Sequence, residues 1–230
     1  MTLIQARGLV KAYGRTPALH GIDLDLAEGE ILAVTGPSGS GKSTLLHCLA
    51  GILAPDAGEV HYDGRRLDTA SEATRSRLRR SDFGVLFQFG MLVSELTAAE
   101  NVALPLLLTG AGREESRETA LTWLARLGVA DVADALPGQM SGGQAQRCAT
   151  ARALVTEPRV LFADEPTGAL DTLAGEELLG LVASLARERR MSVVLVTHNP
   201  VVAGYADREL VLLNGSVDPT GLGSTLRGAL

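Results

Sequence analysis

ILAVTGPSGSGKSTLLHCL, residues 31–49, is the stretch from which the rest of the chain can be read. Ile31 to Val34 is an unbroken apolar run, as expected of a strand covered on both faces, and Leu45 to Leu49 reads as a helix. Between them, Gly36 to Ser43 satisfies G-x-x-x-x-G-K-[ST] in full, in the strand–loop–helix setting that gives this pattern its meaning. Glycines let consecutive backbone N–H groups turn inward around phosphate oxygens, and the following helix adds the partial positive charge of its N-terminus. Lys42 then reaches the outer phosphates, and the Ser43 hydroxyl is a ligand for Mg²⁺.

On the N-terminal side, Ile22, Asp23, Leu24, Asp25 and Leu26 alternate apolar and acidic residues, the pattern of a half-buried antiparallel strand. Glu28-Gly29-Glu30 follows as a turn. On the C-terminal side, two more apolar strands, Val160 to Ala163 and Ser192 to Thr197, flank a helix from about Thr172 to Arg190. Glu176 and Glu177 near its start and Arg187, Arg189 and Arg190 at its end suit the helix dipole. Strands alternating with helices imply a parallel α/β sheet. Glu209 to Leu213, Asn214-Gly215 and Ser216-Val217 read as a hairpin, and residues 218–230 as a loose tail.

The middle of the chain carries only helical signals. Thr97 and Glu100 have capping-box spacing, and Leu121, Trp123, Leu124 and Leu127 precede a stop at Gly128. An inserted helical subdomain over about 90–138 follows, with Ala111-Gly112 as its inner turn and Leu136-Pro137-Gly138 as its way back to the sheet. Arg75, Arg77, Arg79 and Arg80 read as a solvated helix face. Phe89, Gly90, Met91, Leu92 and Val93 read equally as a docking surface and as core of the insert.

Two further elements carry chemistry. Val160-Leu161-Phe162-Ala163-Asp164-Glu165 is a core strand ending in two acids. Asp164 can complete a Mg²⁺ shell through water, and Glu165 can act as general base on the water attacking a γ-phosphate, where in isolation the pair would read as solvated acids. Met140-Ser141-Gly142-Gly143-Gln144 opens a helix running to about Thr156. It is either a plainly capped helix or a second anion site on two glycine N–H groups.

Composition closes off other classes. Lys plus Arg number 21 and Asp plus Glu 27, so the net charge of −6 opposes non-specific binding to a phosphate polymer. One Trp, three Tyr and four Phe give few platforms for stacking bases, so no nucleic-acid partner is expected. Cys48 and Cys148 lack metal or redox spacing and read as buried, reduced thiols. The N-terminus has no secretory pattern, and Val102 to Leu108 and Val193 to Val196 fall far short of the ~20 residues that cross a bilayer. A cytoplasmic chain with no membrane insertion of its own is expected.

GPSGSGKST, MSGGQ and FADEP, in this order, resemble the nucleotide-binding subunit of ATP-binding cassette (ABC) transporters over nearly the whole chain. The resemblance implies a P-loop NTPase: a RecA-like parallel-sheet core with an N-terminal antiparallel β subdomain and an inserted α-helical subdomain. The cassette would span 1–220, with 221–230 as a tail. It implies ATP and Mg²⁺ as ligands, with Gly36, Pro37, Ser38, Gly39, Ser40, Gly41, Lys42, Ser43 and Thr44 around the phosphates. In that family two ATP are enclosed by a head-to-tail pair of copies, so Ser141, Gly142, Gly143 and Gln144 would act in trans. Tyr13 is similar to the aromatic that stacks on adenine, and Gln88 to the Q-loop glutamine that senses Mg²⁺. His198 is similar to the switch histidine and Ala169-Leu170-Asp171 to the D-loop. Mg²⁺ would fall to Ser43, Gln88 and Asp164, and catalysis to Glu165, His198 and Lys42.

The stretches 163–168 and 100–105 resemble the lipoprotein-releasing, macrolide-exporting, antimicrobial-peptide-resistance and cell-division branch. The implied function is ATP hydrolysis that drives a membrane permease from its inner face; the alternative is an ATP-dependent regulator of a cell-envelope complex without transport. Met140 departs from the usual Leu at a similar volume. A phosphotransferase fits poorly with MSGGQ and the acid pair, and a chromosome-structure ATPase needs more chain between the two glycine motifs than this one has.

Overall fold

The computed structural model describes residues 1–88 and 90–218. Phe89 and the tail from 219 onward, 221–230 included, lie outside the described residues. In chain order the elements are β1 (Thr2–Tyr13), β2 (Thr16–Ala27), β3 (Ile31–Thr35), α1 (Lys42–Leu49), β4 (Ala57–Tyr62), β5 (Arg65–Arg66), α2 (Glu72–Ser81), β6 (Phe83–Leu86), α3 (Ala98–Leu108), α4 (Arg113–Arg126), α5 (Gly142–Leu154), β7 (Val160–Asp164), α6 (Thr172–Arg189), β8 (Ser192–Val196), α7 (Pro200–Ala203), β9 (Arg208–Leu213) and β10 (Ser216–Val217). They form two compact units, Met1–Arg77 with Ala183 onward, and Leu78–Val182. The chain passes between them within α2 and α6.

The first unit contains an antiparallel sheet in the order β2-β1-β4-β5. The alternation in β2 does what it predicts: Ile22, Leu24 and Leu26 are buried, while Asp23 and Asp25 face solvent. The same unit holds the strand series β10-β9-β3-β8. There β3 runs parallel to both β8 and β9, and β9 turns back into β10. Both β3 and β8 are apolar runs because both faces are covered; Leu32, Ala33, Val34, Val194 and Val196 are wholly buried. α1 packs against β1, β2 and β8.

The second unit pairs β6 with β7 in parallel and packs α3, α4 and α5 together, α5 also lying on β6. Phe83 and Phe162, one on each strand, meet edge to face with ring centroids 5.3 Å apart. α3 starts at a complete capping box. The Thr97 hydroxyl accepts the Glu100 N–H, and the Glu100 carboxylate accepts the Thr97 N–H at 2.8 Å. Those bonds also hold the Glu100 carboxyl below its usual range. α4 opens at Gly112 with Glu114 and Glu115 in its first turn and gives way at Gly128, whose φ of 71° no ordinary helical residue adopts.

Candidate functional site

Register places the candidate residues of the first unit at one strand edge. Val34 pairs with Val196 in the parallel β3–β8 ladder, so Gly36 and His198 each lie two residues beyond a matched pair. The loop from Gly36 to Gly41 is wedged against neighbouring strands. A Cβ on Gly36 would fall 2.1 Å from the Leu212 carbonyl oxygen, and one on Gly41 would fall 2.3 Å from that of Ala18. Only glycine permits this approach.

Gly41 gives α1 no side-chain cap, and the first turn of α1 contains no acid, so its N–H groups are left for an outside acceptor. Lys42 is the first residue of that turn and is buried. Its ammonium donates to the carbonyls of Gly36 at 2.9 Å and Pro37 at 2.8 Å, curled against the loop. Pro37, Ser38 and Gly39 are exposed, Ser40 is buried, and Ser43 and Thr44 are half-buried. A cradle of glycine backbone, an uncapped helix start and a buried ammonium suits a polyphosphate. Tyr13 ends β1 as an exposed residue with its hydroxyl 3.5 Å from that of Thr44, so the proposed adenine platform stands beside the cradle. His198 is exposed after β8. The backbone after it is set by the Asn199 N–H donating to the Thr197 hydroxyl at 3.0 Å, and by Asn199 capping α7.

In the second unit Leu86 pairs with Ala163, so Gln88 and Glu165 likewise lie two residues past one matched pair, at the same edge of β6–β7. Asp164 is the buried last residue of β7. Glu165 follows, half-buried, with φ at 48° in the left-handed region, and its carbonyl accepts the Gly168 N–H at 3.1 Å. Gln88 is exposed. Ser141 caps α5 in a second complete box: its hydroxyl accepts the Gln144 N–H, and the Gln144 side chain accepts the Ser141 N–H at 2.9 Å. Capping thus engages Ser141 and Gln144, while Ser141 and Gly142 remain on the surface.

Ala169 and Leu170 sit against this turn. A Cβ on Gly142 would meet the Ala169 Cβ at 3.6 Å, and one on Gly143 the Leu170 side chain at 3.0 Å. The buried Gln146 side chain donates to the Pro166 carbonyl at 2.9 Å, tying α5 to the segment that follows Glu165.

Sequence reading missed the residues that hold the segment after Gln88. Asn101, fully buried in α3, accepts the Val93 N–H at 2.8 Å and donates toward the carbonyls of Val93, Leu96 and Thr97 at 3.0, 2.9 and 3.1 Å. Arg152 of α5 donates to the carbonyls of Gly90 at 2.6 Å and Met91 at 2.9 Å, and burial lowers its pKa. The clue was in reach for Asn101, a polar residue inside the apolar face of a capped helix. Met91 and Val93 are exposed on the segment so held, Leu92 is half-buried and Gly90 buried. Cys48 and Cys148 are buried free thiols pushed up to about 11 by burial. Among the described residues no helix is long and apolar enough to cross a membrane.

The family model described as ABC transporter matches residues 19–168. Among curated relatives, the lipoprotein-releasing system ATP-binding protein LolD of Xanthomonas oryzae pv. oryzae is 43% identical over 219 residues, covering 94% of this chain and 90% of that protein. LolD 2 of Caulobacter vibrioides is 41% identical, covering 94% of this chain and 96% of that protein. Among solved structures, the dimeric post-hydrolysis state of the ATP-binding cassette MJ0796 bound to ADP and Pi superposes with a TM-score of 0.93 at 36% identity, covering 99% of this chain and all of that one. CbiO1 from Clostridium perfringens, part of the ABC transporter complex cbiONQ, gives a TM-score of 0.82 at 31% identity, covering 94% of this chain and 87% of that one.

Proposed function

Because the chain belongs to the ABC transporter family, we propose that it is the ATP-hydrolysing subunit of a lipoprotein-releasing type of export system, working as a head-to-tail pair on the inner face of the membrane. ATP and Mg²⁺ are the ligands of this family, and a membrane permease is its partner. The loop from Gly36 to Thr44 binds the triphosphate, with Lys42 leaving its two carbonyls to neutralise the outer phosphates. Ser43, Gln88 and Asp164 supply oxygen donors only, the set that Mg²⁺ prefers. The metal's part is to neutralise charge on the phosphate oxygens.

Tyr13 stacks on adenine. Glu165 takes the proton of the attacking water, and His198 holds that water and the γ-phosphate in line. Ser141, Gly142, Gly143 and Gln144 close over the nucleotide of the second copy, and the segment 90–93 meets the permease.

The observation that carries this reading is the contrast between two glycine-flanked helix starts. That of α1 is uncapped and basic. That of α5 is internally capped and stands on the surface at Ser141 and Gly142, where it can meet a nucleotide bound by another copy. The test is Glu165→Gln. ATP hydrolysis is expected to fall at least ~100-fold, as when a positioned base is lost, while an ATP-bound dimer accumulates on size exclusion. A variant that stays monomeric in saturating ATP refutes the head-to-tail reading.

A further inference from the structure

The turn between β9 and β10 belongs to none of the motifs above, yet it touches the phosphate loop. Asn214 and Gly215 form a two-residue hairpin turn, both with positive φ, at 48° and 77°. The two peptide groups of Gly215 are divided between different neighbours. Its N–H donates to the Ser40 carbonyl at 3.0 Å, and its carbonyl accepts the His20 N–H of β2 at 2.8 Å. The Leu212 carbonyl, three residues earlier, presses against Gly36, and the Ala18 carbonyl of β2 presses against both Gly41 and Gly215. The hairpin and β2 therefore back the loop at both its ends, and Gly215 fastens it in between.

Two consequences bear on nucleotide binding. In a trans peptide the C=O and N–H point to opposite sides. With the Ser40 carbonyl held by Gly215, the Gly41 N–H must point away from the hairpin. Were that peptide to flip, a carbonyl dipole would take its place and repel an anion in the loop. The second consequence concerns spacing. β2 is paired to β1, with Tyr13 opposite Thr16, so the strand that Gly215 ties to the loop is the hydrogen-bonded neighbour of the one that carries the aromatic platform.

We propose that Gly215 is a positioning residue for nucleotide binding: it fixes the Ser40–Gly41 peptide and sets the distance between the Tyr13 ring and the phosphate cradle. This rests on the reading that residues 36–44 hold the triphosphate and Tyr13 the base. A Cβ at Gly215 would lie 2.6 Å from the His20 ring and 2.7 Å from the Ala18 carbonyl oxygen. Gly215→Ala must therefore move β2 or pull the N–H off Ser40. Asn214→Gly, which accepts the same φ without strain, is the matched control.

The full chain is compared as wild type, N214G and G215A by calorimetric titration with MgATP and by steady-state hydrolysis. Wild type must bind MgATP; if it does not, the reading of the cradle fails rather than this inference. N214G should match wild type within twofold. Folded G215A should bind MgATP about tenfold more weakly and raise KM similarly with kcat nearly unchanged, the effect of about one lost hydrogen bond. A purely structural role would lower the melting temperature but leave the Kd of the folded protein alone, and a G215A Kd within twofold of wild type overturns the proposal. If G215A does not fold, amide exchange at Gly215 in the wild-type chain decides: MgADP should slow it about tenfold by closing the loop on its ligand, and unchanged exchange overturns the proposal.

Discussion

Replacing Asn101 by aspartate changes one atom and tests how firmly the segment after Gln88 is held. The Asn101 side chain is fully buried, with its Oδ1 on the Val93 N–H and its Nδ2 facing three carbonyls within 3.1 Å. Aspartate keeps the acceptor but turns an oxygen toward those three carbonyls. Two donated hydrogens are lost at about 1 kcal/mol each, and a buried carboxylate adds its own desolvation, so the cost at pH 7 is about 3 to 5 kcal/mol. That is a large share of the ~5–15 kcal/mol that separates most folded chains from unfolded ones.

Acid should relieve part of the loss. The buried site favours the protonated form, so the introduced carboxyl has a folded-state pKa above its unfolded value. The deficit is then smallest below the unfolded pKa and grows as pH rises through the folded one. Urea unfolding followed by circular dichroism, for wild type and N101D at pH 5 and pH 7.5, reads both effects as the difference between the two proteins. A variant within about 0.5 kcal/mol of wild type at pH 7.5, the scatter of an ordinary surface change, would show that Asn101 does not fasten the segment.

The two thiols give a second prediction. With both pushed up to about 11, roughly one thiol in a thousand is ionised at pH 8. A chromogenic disulfide reagent should therefore react slowly with native protein and rapidly in urea, and prompt release of two equivalents from the native chain would refute the burial. Phe162→Leu should cost about 1 to 2 kcal/mol through the lost edge-to-face contact with Phe83 and the volume it leaves, lowering Tm by several degrees; calorimetry showing no shift would refute the packing described.

Strong periodicities carried through from sequence to fold. Ile31–Val34, Val160–Ala163 and Ser192–Thr197 became β3, β7 and β8 within a residue, because a run of apolar residues bounded by turn signals has few alternatives. Both capping boxes formed as spaced, since each is a local bond between residues three apart. The Asn214-Gly215 hairpin was equally legible. β1 and β4 were not. Their alternations, Ile4-Gln5-Ala6-Arg7 and Glu59-Val60-His61-Tyr62, are only four residues long, and the strands are extended by pairing with distant partners: β1 lies between β2 and β4. α2 was read only as a basic face because none of its residues is buried, so no apolar stripe marks it. The motif residues could be picked out because their spacing is itself the signal, and register then puts Gly36 with His198 past one matched pair and Gln88 with Glu165 past another. Arg152, Gln146 and the tie from Gly215 to Ser40 were missed because each acts through a carbonyl far along the chain, and a carbonyl leaves no mark in a sequence; Asn101, whose carbonyls lie within eight residues, was missed although its place in an apolar helix face was visible.

The backbone at Glu165 sets local comfort against purpose. A left-handed conformation costs an ordinary L-residue about 1–2 kcal/mol, and glycine nothing. With φ at 48°, the position would be better served by a residue with no side chain at all. On the proposal that Glu165 is the general base, Glu165→Gly should relax this bend and abolish hydrolysis together, so that the same substitution trades turnover for rest.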